Sequence, residues 1–185
     1  MIIIIEGFDN SGKSTLASRL SNELGLERVH PGGPPANIAA VMTRMDEQTQ
    51  HFHCAHLVNF IYDRVTCISD ACYRQNKSYA EIFKFYQDLL VAASKVMLIY
   101  CRPSDARLKN FSDHINQEHD TDEIVEHAKS KSDIIIQSYD RLINRLSDDG
   151  MFIMAYNFEA DDNDSRYNQI VAAITAGKAG KNAKT

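Results

Sequence analysis

A three-layer α/β fold, with a five-stranded parallel sheet flanked by helices, is predicted by three observations on the 185-residue sequence. Short apolar runs alternate with longer amphipathic segments, the pattern of strand–helix–strand units whose crossovers make neighbouring strands parallel. The strand segments are rich in β-branched and aromatic residues along their whole length, as strands buried on both faces are. The first of them runs into GFDNSGKST, residues 7–15, where two glycines end the strand and a helix begins.

Taken in order, Ile2 to Glu6 forms the first strand, and Lys13 to Leu24 the first helix, with Leu16, Leu20 and Leu24 on one face. A short strand at Glu27 to His30 leads through the turn HPGGPP to a helix over Ala36 to Arg44. LVNFIY, Leu57 to Tyr62, is the third strand. Ser78 to Ser94 is helical, and its stripe of Tyr79, Ile82, Phe83, Tyr86, Leu89 and Leu90 reads as a core face rather than a stacking platform. Val96 to Cys101 is the fourth strand, and Asp122 to Leu146 a long helix with Ile124, Ile135, Leu142 and Leu146 at helical spacing. Met151 to Phe158 is the fifth strand, and Asp164 to Thr175 the last helix. The expected strand order is 2-3-1-4-5. Residues 1–177 are expected to form one domain with a lid-like segment at about 102–120, and the small, basic 178–185 to fray.

Composition narrows the function. Hydrophobic residues make up 44% and charged residues 24%, ordinary for a globular protein. A net charge of −5 argues against stable nucleic-acid binding but not against a small pocket lined with arginines. No apolar run approaches the roughly 20 residues that span a bilayer. MIIIIEG lacks the basic region of a signal peptide, and the four cysteines form no CxxC pair, so reduced thiols and a cytoplasmic location are expected.

From Gly7 to Ser14 the sequence fits the phosphate-binding P-loop, G-x-x-x-x-G-K-[ST]. Gly7 and Gly12 permit backbone angles that turn successive N–H groups inward, and the following helix aims its positive end at the same point. Gly7, Asn10, Ser11, Gly12, Lys13, Ser14 and Thr15 are the candidate ATP-phosphate ligands, with Lys13 reaching the β- and γ-phosphates and Ser14 holding Mg²⁺. The motif leaves a kinase, a nucleotide hydrolase and a switch open.

In a parallel sheet ligands bind beyond the carboxyl ends of the strands. Asp63 and Arg64 follow the third strand, where a carboxylate can hold Mg²⁺-bound water or accept a proton, and a guanidinium can clamp a phosphate. Arg102, Arg107 and Lys109 follow the fourth, where cations can stabilise the charge of a transferring phosphoryl group. HFHCAH, His51 to His56, has too few ligands for a zinc site, and the acidic run Glu159 to Ser165 lacks calcium-loop spacing, with Asp162 or Asn163 a helix cap.

IIIEGFDNSGKSTLASRL, the PGG of HPGGPP, FIYDRVTCISDACY and the later YDRLINRL together resemble the thymidylate kinase-type nucleoside monophosphate kinases, in order over most of the chain. The resemblance implies transfer of the γ-phosphoryl group of ATP to a nucleoside monophosphate, with Mg²⁺. It places Asp9, His30, Pro31, Gly32, Arg44, Phe52, Arg64, Ser69 and Tyr73 around the acceptor, and Lys13, Asp63, Arg64, Arg102 and Arg107 in catalysis. Ser14 and Asp63 would hold the metal, and homodimers are common in that family. Val29 and His30 stand where the family has Arg-Glu, and the lid lacks its arginine-dense run, so a modified pyrimidine deoxynucleotide is one expected acceptor besides dTMP. Two other classes stay open: a kinase of a deoxynucleoside or of a hydroxyl on a modified base or polynucleotide end, and a nucleotide-dependent switch.

Overall fold

The computed structural model describes residues 1–30, 32–33, 35–54, 57, 59–74, 87–92, 95–111 and 122–182, with the side chains of 124 and 178–182 left aside. Among them lie the elements β1 Ile2–Glu6, α1 Lys13–Leu24, β2 Glu27–Val29, α2 Ile38–His53, β3 Phe60–Asp63, α3 Thr66–Tyr73, β4 Val96–Cys101, α4 Asp105–Leu108, α5 Asp122–Ser130, α6 Ser132–Asp148, β5 Phe152–Tyr156 and α7 Asn163–Asn182. All strand pairs are parallel and the order is β2-β3-β1-β4-β5, as expected from the sequence. β1 lies at the centre, with Ile5 opposite Asp63 on one side and Ile99 on the other.

Strand side chains alternate between faces, and the two faces feed separate cores. Ile2, Ile4, Tyr62, Leu98 and Tyr100 pack with Val41, Met45 and Phe52 of α2, Ile68 of α3 and Tyr139, Ile143 and Leu146 of α6. Ile3, Ile5, Ile61, Met97 and Ile99 pack with Leu16 and Leu20 of α1 and Tyr167, Ile170 and Ile174 of α7. The all-isoleucine β1 is buried along its whole length because helices cover both its faces.

Several boundaries differ from the sequence reading. α2 continues through His53, since Val41, Met45, Gln48 and Phe52 extend the buried stripe and no breaker interrupts it. β3 begins at Phe60, and Leu57 is 73% exposed. The long helix expected over 122–146 divides at Lys131, where the backbone leaves helical geometry. α7 runs to Asn182, into the stretch expected to fray. The Tyr79, Ile82, Phe83 and Tyr86 stripe falls outside the described residues, while 87–91 are helical and Leu89 is fully buried.

Leu20 fastens α1 to the sheet with no exposed surface. Leu20→Ala is expected to cost about 3 kcal/mol, through lost burial plus an incompletely collapsed cavity. Denaturant unfolding of the two proteins measures the difference.

Candidate active site

The loop between β1 and α1 is shaped by residues that a Cβ would distort. Gly7 has φ 149°, and a methyl there would run into the Cys101 carbonyl oxygen of β4. Gly12 has φ 78°, and a Cβ would come within 2.8 Å of the Phe158 ring. Asn10 also takes a left-handed conformation, φ 61°, with its amide donating to the Asn110 carbonyl. Gly12 is the N-cap of α1 and offers no side chain to the first-turn amides, which leaves them for an anion. Ser11 is buried, and Ser14 and Thr15 are exposed in the first turn. Lys13 lies folded over the loop, its ammonium donating to the Phe8 carbonyl at 2.6 Å and to Ser11 Oγ at 3.2 Å. Burial, and then the nearby Arg64, lower its pKa to about 8.

Beyond the loop, strand alternation sorts charged side chains onto opposite faces of the sheet edge. Asp63 ends β3 in register with Ile5, on the α1 face. Its carboxylate is almost fully buried, which opposes ionisation, yet hydrogen bonds from Ser14 and Arg28 hold its pKa below the usual value. His30 Nε2 stands 3.9 Å away. Ser14 and Asp63 are therefore adjacent and present the hard oxygen donors that Mg²⁺ prefers, with the carboxylate ionised. The residues fit that ion.

Arg64 breaks the strand with φ 76°, a conformation unusual for a side-chain-bearing residue, while its N–H still donates to the Ile5 carbonyl at 3.0 Å. Its guanidinium meets Asp9 and lies over the Tyr73 ring, 5.5 Å from the centroid. Tyr73 stacks on Phe8 at 5.9 Å. Asp9 is held down to about 2, since Arg64 and Lys13 outweigh its burial. On this same face Glu6 is completely buried. It accepts from Val65 N–H at 2.6 Å, from Tyr139 Oη at 3.3 Å and from Ser69 Oγ at 3.4 Å. Burial raises its pKa to about 7 against the pull of Val65, Arg64 and Lys13.

The remaining candidates are distributed around this centre. Arg44 donates to the Gly33 carbonyl at 2.7 Å and thereby holds the turn that contains Gly32. Gly32 N–H in turn donates to His30 Nδ1 at 3.0 Å. Pro31 lies outside the described residues. Phe52, expected beside the acceptor base, is instead 3% exposed and meets Tyr62 edge-on, because α2 turns that stripe onto the sheet. Arg102, expected as a closing cation, is instead tied to Asp140 of α6 through Nε and Nη2 at 3.0 and 3.1 Å, and to Asp105 at 2.6 Å. Arg107 stands over the Phe158 ring, 5.6 Å from its centre, and Lys109 reaches Asp133 at 2.5 Å. His51 meets Tyr62 Oη, and His53 lies 3.8 Å from Asp88.

Sequence reasoning missed Glu6, Arg28 and Tyr139. The signal for Glu6 was present: a carboxylate closing a run of isoleucines must be buried with partners. Arg28 and His30, two apart on a strand, share a face, and that pairing was also readable.

Glu6 generates a pH test. Its carboxyl holds its proton to about pH 7 in the folded protein and to about 4.5 when unfolded. The folded state thus binds the extra proton in that window, and stability falls as pH rises through it. Glu6→Gln, which stays neutral, is expected to match the wild type near pH 5 and exceed it at pH 8. Urea midpoints at the two pH values check this.

Comparison with protein-family models gives no match, and no curated protein matches either. Solved structures do. The chain superposes on the YorR protein of Bacillus subtilis in complex with phosphorylated GDP, with TM-score 0.66, 17% identity, and coverage of 95% of this chain and 96% of the other. It also superposes on the deoxyadenosine kinase of M. mycoides, with TM-score 0.58 for the form holding products dCMP and dCDP and 0.54 for the form with dATP. Both are 17% identical, covering 95% of this chain and 100% of the other. With its glycine loop on the central strand of a parallel 2-3-1-4-5 sheet, the chain has the α/β fold of the P-loop kinases.

Proposed function

We propose that the protein transfers the γ-phosphoryl group of ATP to a nucleoside monophosphate, with dTMP or a modified pyrimidine deoxynucleotide as the leading acceptor. One observation carries the reading: Arg64, a half-buried cation fixed by the backbone of β1 and laid against Asp9 and Tyr73, faces the site beside Lys13. A phosphate-bearing acceptor can take Arg64 in a bidentate grip, with Tyr73, backed by the buried Phe8, as an apolar wall for the nucleoside.

In the reaction an acceptor phosphate oxygen forms the new bond to the γ-phosphorus as the bond to the bridging β–γ oxygen breaks, and ADP leaves. Positioning and charge stabilisation supply the catalysis. Lys13 and the loop amides orient the triphosphate. Asp63, ionised, and Ser14 would hold Mg²⁺, which neutralises phosphate charge when bound. Arg64 aligns the acceptor, and Arg107 with Phe158 covers the nucleotide side of the loop.

A second reading, a deoxynucleoside hydroxyl as acceptor, is favoured by Glu6. A hydroxyl must lose a proton on attack, and a buried carboxyl near neutrality is suited to receive it. The M. mycoides neighbour is a deoxyadenosine kinase, which agrees with that alternative.

ADP release and product identity, measured over nucleoside monophosphates and deoxynucleosides with Mg²⁺-ATP, test the proposal. A diphosphate product is expected. Arg64→Ala should lower kcat/KM for that acceptor about a hundredfold, the scale of a hydrogen bond to a charged group. Monophosphate products alone would overturn the first reading in favour of the second, and ADP release independent of any acceptor would overturn both.

A further inference from the structure

Asp63 is already in an ion pair. Arg28 lies on β2 opposite Ile61, on the same face of the sheet as Asp63, and its Nη2 donates to Asp63 Oδ2. Its Nη1 donates to Ser18 Oγ at 2.9 Å. Ser18 stands one turn beyond Ser14 on α1, so the guanidinium bridges the gap between α1 and the end of β3 that Ser14 and Asp63 themselves border. A carboxylate whose side chain is 2% exposed needs a counter-charge, and Arg28 supplies one.

The pairing is not closed in the way that of Arg102 is. Arg102 engages Asp140 through Nε as well as Nη2. The Nε of Arg28 is buried and has no hydrogen-bond partner among the described residues, and its side chain is 29% exposed. Arg28 therefore holds Asp63 by one terminal nitrogen and retains room to move outward.

We propose that Arg28 is a resident counter-ion for Asp63 that competes with Mg²⁺, so that the metal is admitted only together with the triphosphate. The inference rests on the assignment of Ser14 and Asp63 as the metal-holding pair. Two cations at one carboxylate oxygen repel each other strongly in a poorly solvated site. Free Mg²⁺ meets that repulsion without compensation, whereas the charge of the triphosphate offsets it. Arg28 then releases Asp63 and keeps Ser18. Arg28 is in this sense a positioning residue, acting on the metal through Asp63.

The test is equilibrium binding of ATP to the full chain, by calorimetry, as a function of Mg²⁺. Arg28→Gln is expected to lower the Mg²⁺ concentration at half-effect about tenfold, a modest fraction of the repulsion removed, while Arg28→Lys stays near the wild type. An unchanged midpoint, or one that rises, overturns the proposal. A purely structural role for Arg28 would move thermal stability in both variants and leave the Mg²⁺ midpoint alone. Should Arg28→Gln fail to fold, wild-type crystals with a non-hydrolysable ATP analogue, with and without Mg²⁺, decide. The Arg28–Asp63 pair should persist without the ion and open with it, and a pair intact in both overturns the inference. Absence of ATP binding by the wild type at every Mg²⁺ concentration would overturn the phosphate-site reading itself, a result distinct from any change in the midpoint.

Discussion

The parallel pairing of β1 with β3 is the constraint on which the rest of the site depends. Ile5 sits opposite Asp63, its carbonyl takes the Arg64 N–H, and the Glu6 carboxyl takes the Val65 N–H. Asp63, which ends β3, and the two residues after it are thereby fixed by two successive residues at the end of β1, the strand that continues into the glycine loop. The register sends Asp63 toward α1, and the left-handed turn at Arg64 sends its guanidinium toward Asp9 and Tyr73. Backbone geometry, rather than the flexibility of long side chains, sets the separation between the loop and the charged groups that flank it, which is what positioning catalysis requires.

The same edge concentrates charge in a small volume. Asp63 pairs with Arg28 and Asp9 with Arg64, while Lys13 lies between the two pairs and burial pushes the Glu6 carboxyl up to about 7. Burying so many ionisable groups stabilises a fold less than apolar packing of equal volume would. Its effect is a field already oriented before any anion arrives, so little reorganisation accompanies binding. The isoleucine layers beneath, with no polar atoms in their side chains, supply the stability that the edge does not.

Much of this was legible from residues alone. β1 and β4 are long apolar runs, and their limits agree with the structure because nothing but a buried strand suits four isoleucines or VMLIYC. The loop was legible because its glycines and the helix start that follows are contiguous in sequence. α3 was not, and the reason is specific. Its N-terminal amides at Val65 and Thr66 are satisfied by Glu6 and Gln48, residues distant in sequence, so TCISDACY carries no cap of its own. Arg102 illustrates the same limit. A cation after a strand looks available until Asp140, on a helix 38 residues away, is seen to hold it. Arg28 reads as a charge on a short edge strand until β3 is placed beside it.

The ring of Phe158 packs against Gly12, although one belongs to the first loop of the sheet and the other follows its last strand. On a ribosome the phosphate loop emerges early, with β1 still lacking β3 and β4 on its two sides, and the residue that closes over it emerges only after β5. Folding of this topology therefore cannot complete the surroundings of that loop progressively from the amino end. The nascent chain carries the loop without its Phe158 contact until β5 and the residues after it have emerged.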